Sequence, residues 1–166
     1  MERRHYHMTR YLARNLATSE NRDLPDANDS PEASSTAEVV LAFPLTECSQ
    51  PIIERQELFA FLPVRESPFK FLVHSDFDTT ASRQDINTTS KRNIDLLKGI
   101  AAAFVQAVLQ FCEHGTLCYS WPQFLPGPDD TGVFWSKVTE MIKTLLDATP
   151  VLRSSIGATL ARSGMS

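Results

Sequence analysis

Glycine is scarce in this chain, with six scattered among 166 residues. A loop that cradles phosphate with its own backbone needs glycines close together, and neither a Walker loop nor a G-x-G-x-x-G fingerprint occurs. G-x-S-x-G and H-E-x-x-H are missing too, so no serine-hydrolase or zinc-protease constellation is visible. Cysteine is limited to Cys48, Cys112 and Cys118. An odd number without a secretory signal reads as reduced thiols, with no disulfide, in an intracellular setting that is cytoplasmic or nuclear. Long hydrophobic runs are lacking as well. The longest, about Ile100 to Leu109, is broken by Gln106 and falls short of the roughly 20 residues a bilayer span requires, so no membrane partner is expected. Nor is there a surplus of basic charge: the formal net charge is −4, which argues against a general nucleic-acid binder.

What is present suits one compact domain, with 42% hydrophobic and 22% charged residues. The charge changes sign early. Residues 1–22 carry Arg3, Arg4, Arg10, Arg14 and Arg22 against Glu2 and Glu20; residues 23–38 carry Asp23, Asp26, Asp29, Glu32 and Glu38 with no lysine or arginine. That second stretch, DLPDANDSPEASSTAE, has no apolar period and predicts an exposed or disordered connection. Residues 1–37 therefore read as a flexible or cut-off N-terminal segment. An organelle transit peptide is disfavoured by Glu2 and Glu20. Order is expected over 38–150, with 151–166 a frayed tail.

Three strands are predicted. EVVLAFPL, Glu38 to Leu45, is a continuous apolar run of the kind buried in a sheet. ELFAFLPV, Glu57 to Val64, and FKFLVHSDF, Phe69 to Phe77, flank the polar RESP and suggest an antiparallel pair. In the last strand Phe69, Phe71, Val73 and Ser75 fall on one face and Lys70, Leu72, His74 and Asp76 on the other. A long helix follows from about Lys91 to Glu113, with Ile94, Leu97, Ala101, Phe104, Val105, Val108, Phe111 and Cys112 as its apolar stripe, Ser90 as N-cap and Gly115 past its end. A second helix, about Val133 to Ala148, shows Phe134, Val138, Met141, Ile142 and Leu145 on its stripe and is bounded by Pro150. Between them YSWPQFLPGPDDTG reads as an ordered aromatic loop and a turn. The fold class is α+β: a small, mostly antiparallel sheet packed against one long and one shorter helix.

Candidate chemistry is sparse. Cys112, His114 and Cys118 supply three metal-ligand types, with a fourth only from distant His5, His7 or His74, and Cys112 lies on the apolar stripe, which favours packing. His74 and Asp76 share a face and suggest a hydrogen-bonded structural pair. Arg83 stands alone in TASRQDI. Ser82 with Asp85 three residues on is a capping-box spacing, and by spacing alone Arg83 is the solvated first residue of a short helical turn.

The stretch Leu58 to Phe111 resembles the segment after the nucleotide-binding domain in the sacsin and NO VEIN group of heat-shock-protein-90-like (GHKL) ATPases. The likeness is carried by F-x-F-L-P, a strand ending in D-F, then S-R and a polar helix start; EVVLAFPL and NLATSENR, Asn15 to Arg22, resemble the run before it. The resemblance implies a middle-domain-like α/β unit that docks on an ATP-binding domain, in cis or in trans. It makes Arg83 the residue that reaches the γ-phosphate. Asn87 stands where the family has a glutamine, four positions on, that helps organise the site, which makes Asn87 the second candidate catalytic residue beside Arg83; Gln84 replaces an acidic neighbour. ATP with magnesium is then expected on the partner domain and no cofactor on this chain, which lacks the glutamate, asparagine and D-x-G-x-G elements of that domain and is not expected to hydrolyse ATP alone. Protein clients are possible partners. The alternatives are a non-catalytic interaction module, presenting the mixed strand face and the aromatics near Trp121 and Phe124, or an incomplete gene product.

Overall fold

A computed structural model describes residues 4–17, 36–113, 115, 117–125 and 132–148. Five strands, β1 (His5–Ala13), β2 (Ala37–Leu45), β3 (Glu57–Ala60), β4 (Leu62–Glu66) and β5 (Leu72–His74), form one sheet in the order β1-β2-β5-β3-β4. Every neighbouring pair is antiparallel except β3 and β5. The helices are α1 (Lys91–Cys112), the short α2 (Leu117–Ser120) with a 3₁₀ turn (Trp121–Phe124), and α3 (Gly132–Asp147). This is the expected α+β class, with the sheet mostly antiparallel.

Order begins earlier than Glu38. β1 pairs with β2 from His5↔Leu45 to Ala13↔Ala37. The strand is illegible by hydrophobic alternation because its pattern is inverted: Tyr6, Met8 and Leu12 are exposed on the open face, while Thr9 is buried beneath α1. The buried polar groups are satisfied by one helix residue, since Thr9 Oγ1 and His7 Nε2 both donate to Gln110 Oε1 at 2.7 Å. The acidic connection at 18–35, the tail at 149–166 and His114 lie outside the described residues.

The expected antiparallel pairing across RESP is also revised. The run Glu57–Val64 is not one strand: Phe61 takes a left-handed φ of 66° and folds it into the β3–β4 hairpin. β5 then inserts between β2 and β3, parallel to β3. The segment after β4 is held by Ser67, whose Oγ donates to Phe71 O at 3.2 Å and accepts from Phe69 N at 3.1 Å. Faces were legible even where pairing was not: Phe69, Phe71, Val73, Ser75 and Phe77 are all buried.

α1 crosses the inner faces of β1 and β2, and α3 packs alongside it. By length and composition alone α1 could cross a membrane, but more than half of its apolar window is packed inside this fold. Phe43 of β2 centres the core, with ring centroids of Phe71, Phe111 and Phe124 each at 5.0 Å. Trp121 and Phe124 are 1% and 0% exposed, so the aromatic loop is core and not display surface. α3 is rotated slightly from its expected stripe: Trp135, Val138, Ile142 and Leu146 are buried, while Leu145 faces out. Trp135 reaches Phe69 and Phe77 edge-on.

Gly99 sits where α1 passes close over β1 and β2. A Cβ there would lie 3.0 Å from Ala13 Cβ and 3.2 Å from Val39 Cγ2. Alanine normally stabilises a helix interior over glycine by about 1 kcal/mol. Here overpacking, at roughly 1–3 kcal/mol, should outweigh that gain. Gly99→Ala is expected to lower the urea midpoint.

Candidate functional site

The loop from β5 to α1 carries Arg83, and its base is tightly built. Asp78 is 1% exposed and Asn93 0%. Asp78 N donates to Asn93 Oδ1 at 2.8 Å, and Asn93 Nδ2 donates to Asp78 O at 2.7 Å and to Asn87 O at 2.9 Å. One asparagine therefore bonds both ends of the loop. Ser90 is the N-cap, as expected, accepting from Asn93 N at 3.3 Å while its Oγ donates to Asp78 Oδ2 at 2.6 Å. A carboxylate at this helix end is favoured by the macrodipole. The chemistry of the stretch is that of side chains competing for backbone groups, which explains its density of Asp, Asn, Ser and Thr.

Above this base the chain closes as a small hairpin. Thr79 bridges Ile86, Asn87 N donates to Asp78 O at 2.9 Å, and Thr80 N donates to Asp85 O at 2.9 Å. Arg83 N closes a turn on Thr80 O at 2.9 Å, with Arg83 itself at φ 58°. The capping-box reading of Ser82 and Asp85 does not hold, because no helical turn forms. Asp85 Oδ1 instead accepts from Ile86 N at 2.7 Å, and Asp85 receives Arg65 Nη1 of β4 at 3.1 and 3.3 Å. That brace ties the loop to the sheet edge.

Arg83 is thus exposed at the tip, and its guanidinium meets no partner among the described residues. A bulky residue in the left-handed region carries a backbone cost, so the strain here falls on an exposed arginine at the end of a pinned support. Asn87 is half-buried lower down; its Oδ1 accepts from Thr89 N at 3.1 Å and Thr89 Oγ1 at 2.7 Å. Its amide serves the loop's own geometry.

Two residues that sequence reasoning passed over hold the site. Arg92 is 2% exposed: Nη2 donates to Asp76 Oδ2 at 3.0 Å, Nε to Asp76 O at 3.3 Å and Nη1 to Ala17 O at 3.1 Å. Asn93 is the other. Both lie at polar positions of the helix start, where a hydrophobic stripe gives no signal. Asp76 therefore pairs with Arg92 and not with His74, whose ring meets Phe61 edge-on at 5.4 Å. Cys48, Cys112 and Cys118 are not joined in a disulfide, and no cluster of metal-ligating side chains occurs among the described residues.

Burial holds His74 below its ordinary value of 6.5, against a smaller opposing pull from Glu38. The unfolded chain then binds more protons than the folded one below that value, so His74 contributes stability that is present above about pH 6.5 and lost as the pH falls towards the folded pKa. Urea midpoints should drop less between pH 7 and 5.5 in His74→Gln than in the wild type.

Comparison with known proteins bears on this stretch. Over 105 residues, 59% of this chain, the sequence is 31% identical to protein NO VEIN of Arabidopsis thaliana. The likeness is to a small part of NO VEIN, since the chain spans 4% of that protein's length. No family model matches the chain, and no solved structure matches it.

Proposed function

We propose that this chain is a middle-domain-like accessory segment of a heat-shock-protein-90-like ATPase of the sacsin and NO VEIN group. In this reading it supplies Arg83 to the γ-phosphate of magnesium ATP bound on another domain, in cis or in trans, and does not hydrolyse ATP alone. The observation that carries the reading is Arg83 itself: an exposed guanidinium, without a described partner, on a strained backbone at the tip of a loop pinned by Asn93 below and by Arg65–Asp85 at the side. The chemistry suits the role. A fixed guanidinium offers paired donors to phosphoryl oxygens and stabilises charge that grows during transfer. Asn87 is a positioning residue in this scheme, acting through the loop.

The reading is tested with an ATP-binding domain of that group, supplied in trans and loaded with magnesium ATP. The wild-type chain should raise its turnover, and Arg83→Ala should not; stimulation equal in both would remove the role from Arg83.

A second reading has its own observation. The sheet face opposite α1 leaves Tyr6, Met8 and Leu12 each about half exposed, at 47%, 53% and 49%. A non-catalytic interaction module using that face would bind a protein client regardless of nucleotide and of Arg83.

A further inference from the structure

A groove of about 600 Å³ lies between α1 and α3, with Tyr11 of β1 as its third wall. Packed helices ordinarily close such gaps, and a space of this size falls within the roughly 300–1,000 Å³ of small-molecule sites. Residue choice keeps it open. α1 offers Ala101 and Ala102 to it, two side chains too short to reach across, while α3 lines it with Met141 and Leu145. Ala101 is buried, Met141 is half-buried and Leu145 is 37% exposed, so apolar surface from the stripe of α3 is left facing the groove.

Charge is distributed unevenly. The same groove is lined by Lys98, Lys137 and Glu140, two ammoniums against one carboxylate. Neither lysine is in an ion pair among the described residues, and Asp95, one turn before Lys98, accepts from Ala17 N at 3.1 Å. Glu140 lies one turn from Lys137 and offsets its charge, which leaves Lys98 as the surplus. Its place follows from helix direction. Both helices begin at the same end of the domain, since Trp135 of α3 meets Phe77 edge-on and Asp78, next in sequence, bonds Asn93 of α1. In each helix the lysine precedes the apolar residues, Lys98 before Ala101 and Ala102, Lys137 before Met141 and Leu145. The groove is therefore cationic at one end and apolar towards the other, over about two turns of α3 or roughly 12 Å.

We infer that this groove binds a long-chain carboxylate, its headgroup held by Lys98 with Lys137 beside it and its alkyl chain laid over Ala102 between Met141 and Leu145. An alkyl chain suits walls with few polar atoms to orient a ring or a sugar, and the thioether of Met141 adapts to its irregular outline. The surplus ammonium selects an anion over an alcohol or an amine. The site stands apart from Arg83 and does not depend on the role proposed for it.

Calorimetry on the full 166-residue chain tests this with sodium dodecanoate, kept below its micelle concentration. A single molecule should bind per chain. Each buried methylene is worth about fourfold in affinity, so decanoate should bind about 15-fold more weakly. Dodecyltrimethylammonium, with the same chain and the opposite charge, should not bind measurably. Lys98→Gln should weaken dodecanoate by about fivefold, the upper end for a solvent-exposed charge, and Ala102→Phe, which fills the groove, should remove binding. Leu145→Glu, at an exposed position where folding is not at risk, is the second variant and should weaken binding more than Lys98→Gln does. Leu109→Ser, exposed elsewhere on α1, should bind as the wild type does. No binding by the wild type, a decanoate affinity within about twofold of dodecanoate's, or equal binding of dodecyltrimethylammonium would overturn the site. Binding unchanged in Ala102→Phe and Leu145→Glu would place the ligand elsewhere and overturn it as well. Adsorption to phosphatidylserine vesicles without uptake of free dodecanoate would make the lysines a membrane contact and refute the inference.

Discussion

Asn93→Ala is expected to destabilise the chain by about 3 kcal/mol and to free the Arg83 loop. Asn93 is fully buried and bonds Asp78 through both N–H and O, and Asn87 through O. Two of its acceptors keep other donors, since Asn87 N still reaches Asp78 O and Ser90 N still reaches Asn87 O. Asp78 N loses its bond to Asn93 Oδ1. Losing a buried hydrogen-bond partner costs about 1–3 kcal/mol, and the small void adds to it. Asn93→Asp should be worse, because a carboxylate cannot donate to the two carbonyls and sits beside the Asp78 carboxylate. Urea unfolding gives the total. Hydrogen exchange gives the location: the amides of Thr80, Arg83 and Asn87 should lose protection before those of α1. Uniform loss across the domain would mean that Asn93 supports the core and not the loop.

Arg83 is expected to show effects of opposite sign on activity and stability. Removing one aligned donor set from a developing oxyanion costs about 10²–10³ in rate, and an arginine finger up to about 10³–10⁵. Arg83→Ala should therefore abolish at least about 100-fold of whatever stimulation the chain provides. Arg83→Lys should recover part of it, since a lysine supplies the charge without the planar fork. Arg83→Gly should lose the stimulation yet unfold at higher urea, by roughly 0.5–1 kcal/mol, because glycine accepts the φ of 58° without a Cβ penalty. A residue kept only as a solvated turn position has no reason to show that trade.

The layers of this fold were legible where burial dictates sequence. β2 reads as a continuous apolar run because both of its faces are covered, by α1 inside and by neighbouring side chains outside. α1 reads as an amphipathic helix with a correct N-cap at Ser90. What failed was topology and inverted patterning. Nothing in ELFAFLPV distinguishes one strand from a hairpin, because the break is the backbone of Phe61, a residue type that seldom turns left-handed. β1 was missed because its inner face carries His7 and Thr9, which are satisfied by Gln110 more than 100 positions away. At the candidate site, the position of Arg83 between a strand and a helix was visible. Its support was not. Asp78, Arg92 and Asn93 are polar residues buried by long-range hydrogen bonds, and no periodicity announces them.

The central claim is that Arg83 meets a γ-phosphate on another domain, and nucleotide-dependent binding tests it most directly. The dissociation constant of the full chain should be measured against the ATP-binding domain loaded with a nonhydrolysable ATP analogue and, separately, with ADP. The wild type should favour the triphosphate form by about tenfold or more, as a charge-assisted pair would provide, and Arg83→Ala should bind both forms alike. A wild-type chain blind to the nucleotide, or a triphosphate preference that survives in Arg83→Ala, would contradict the account.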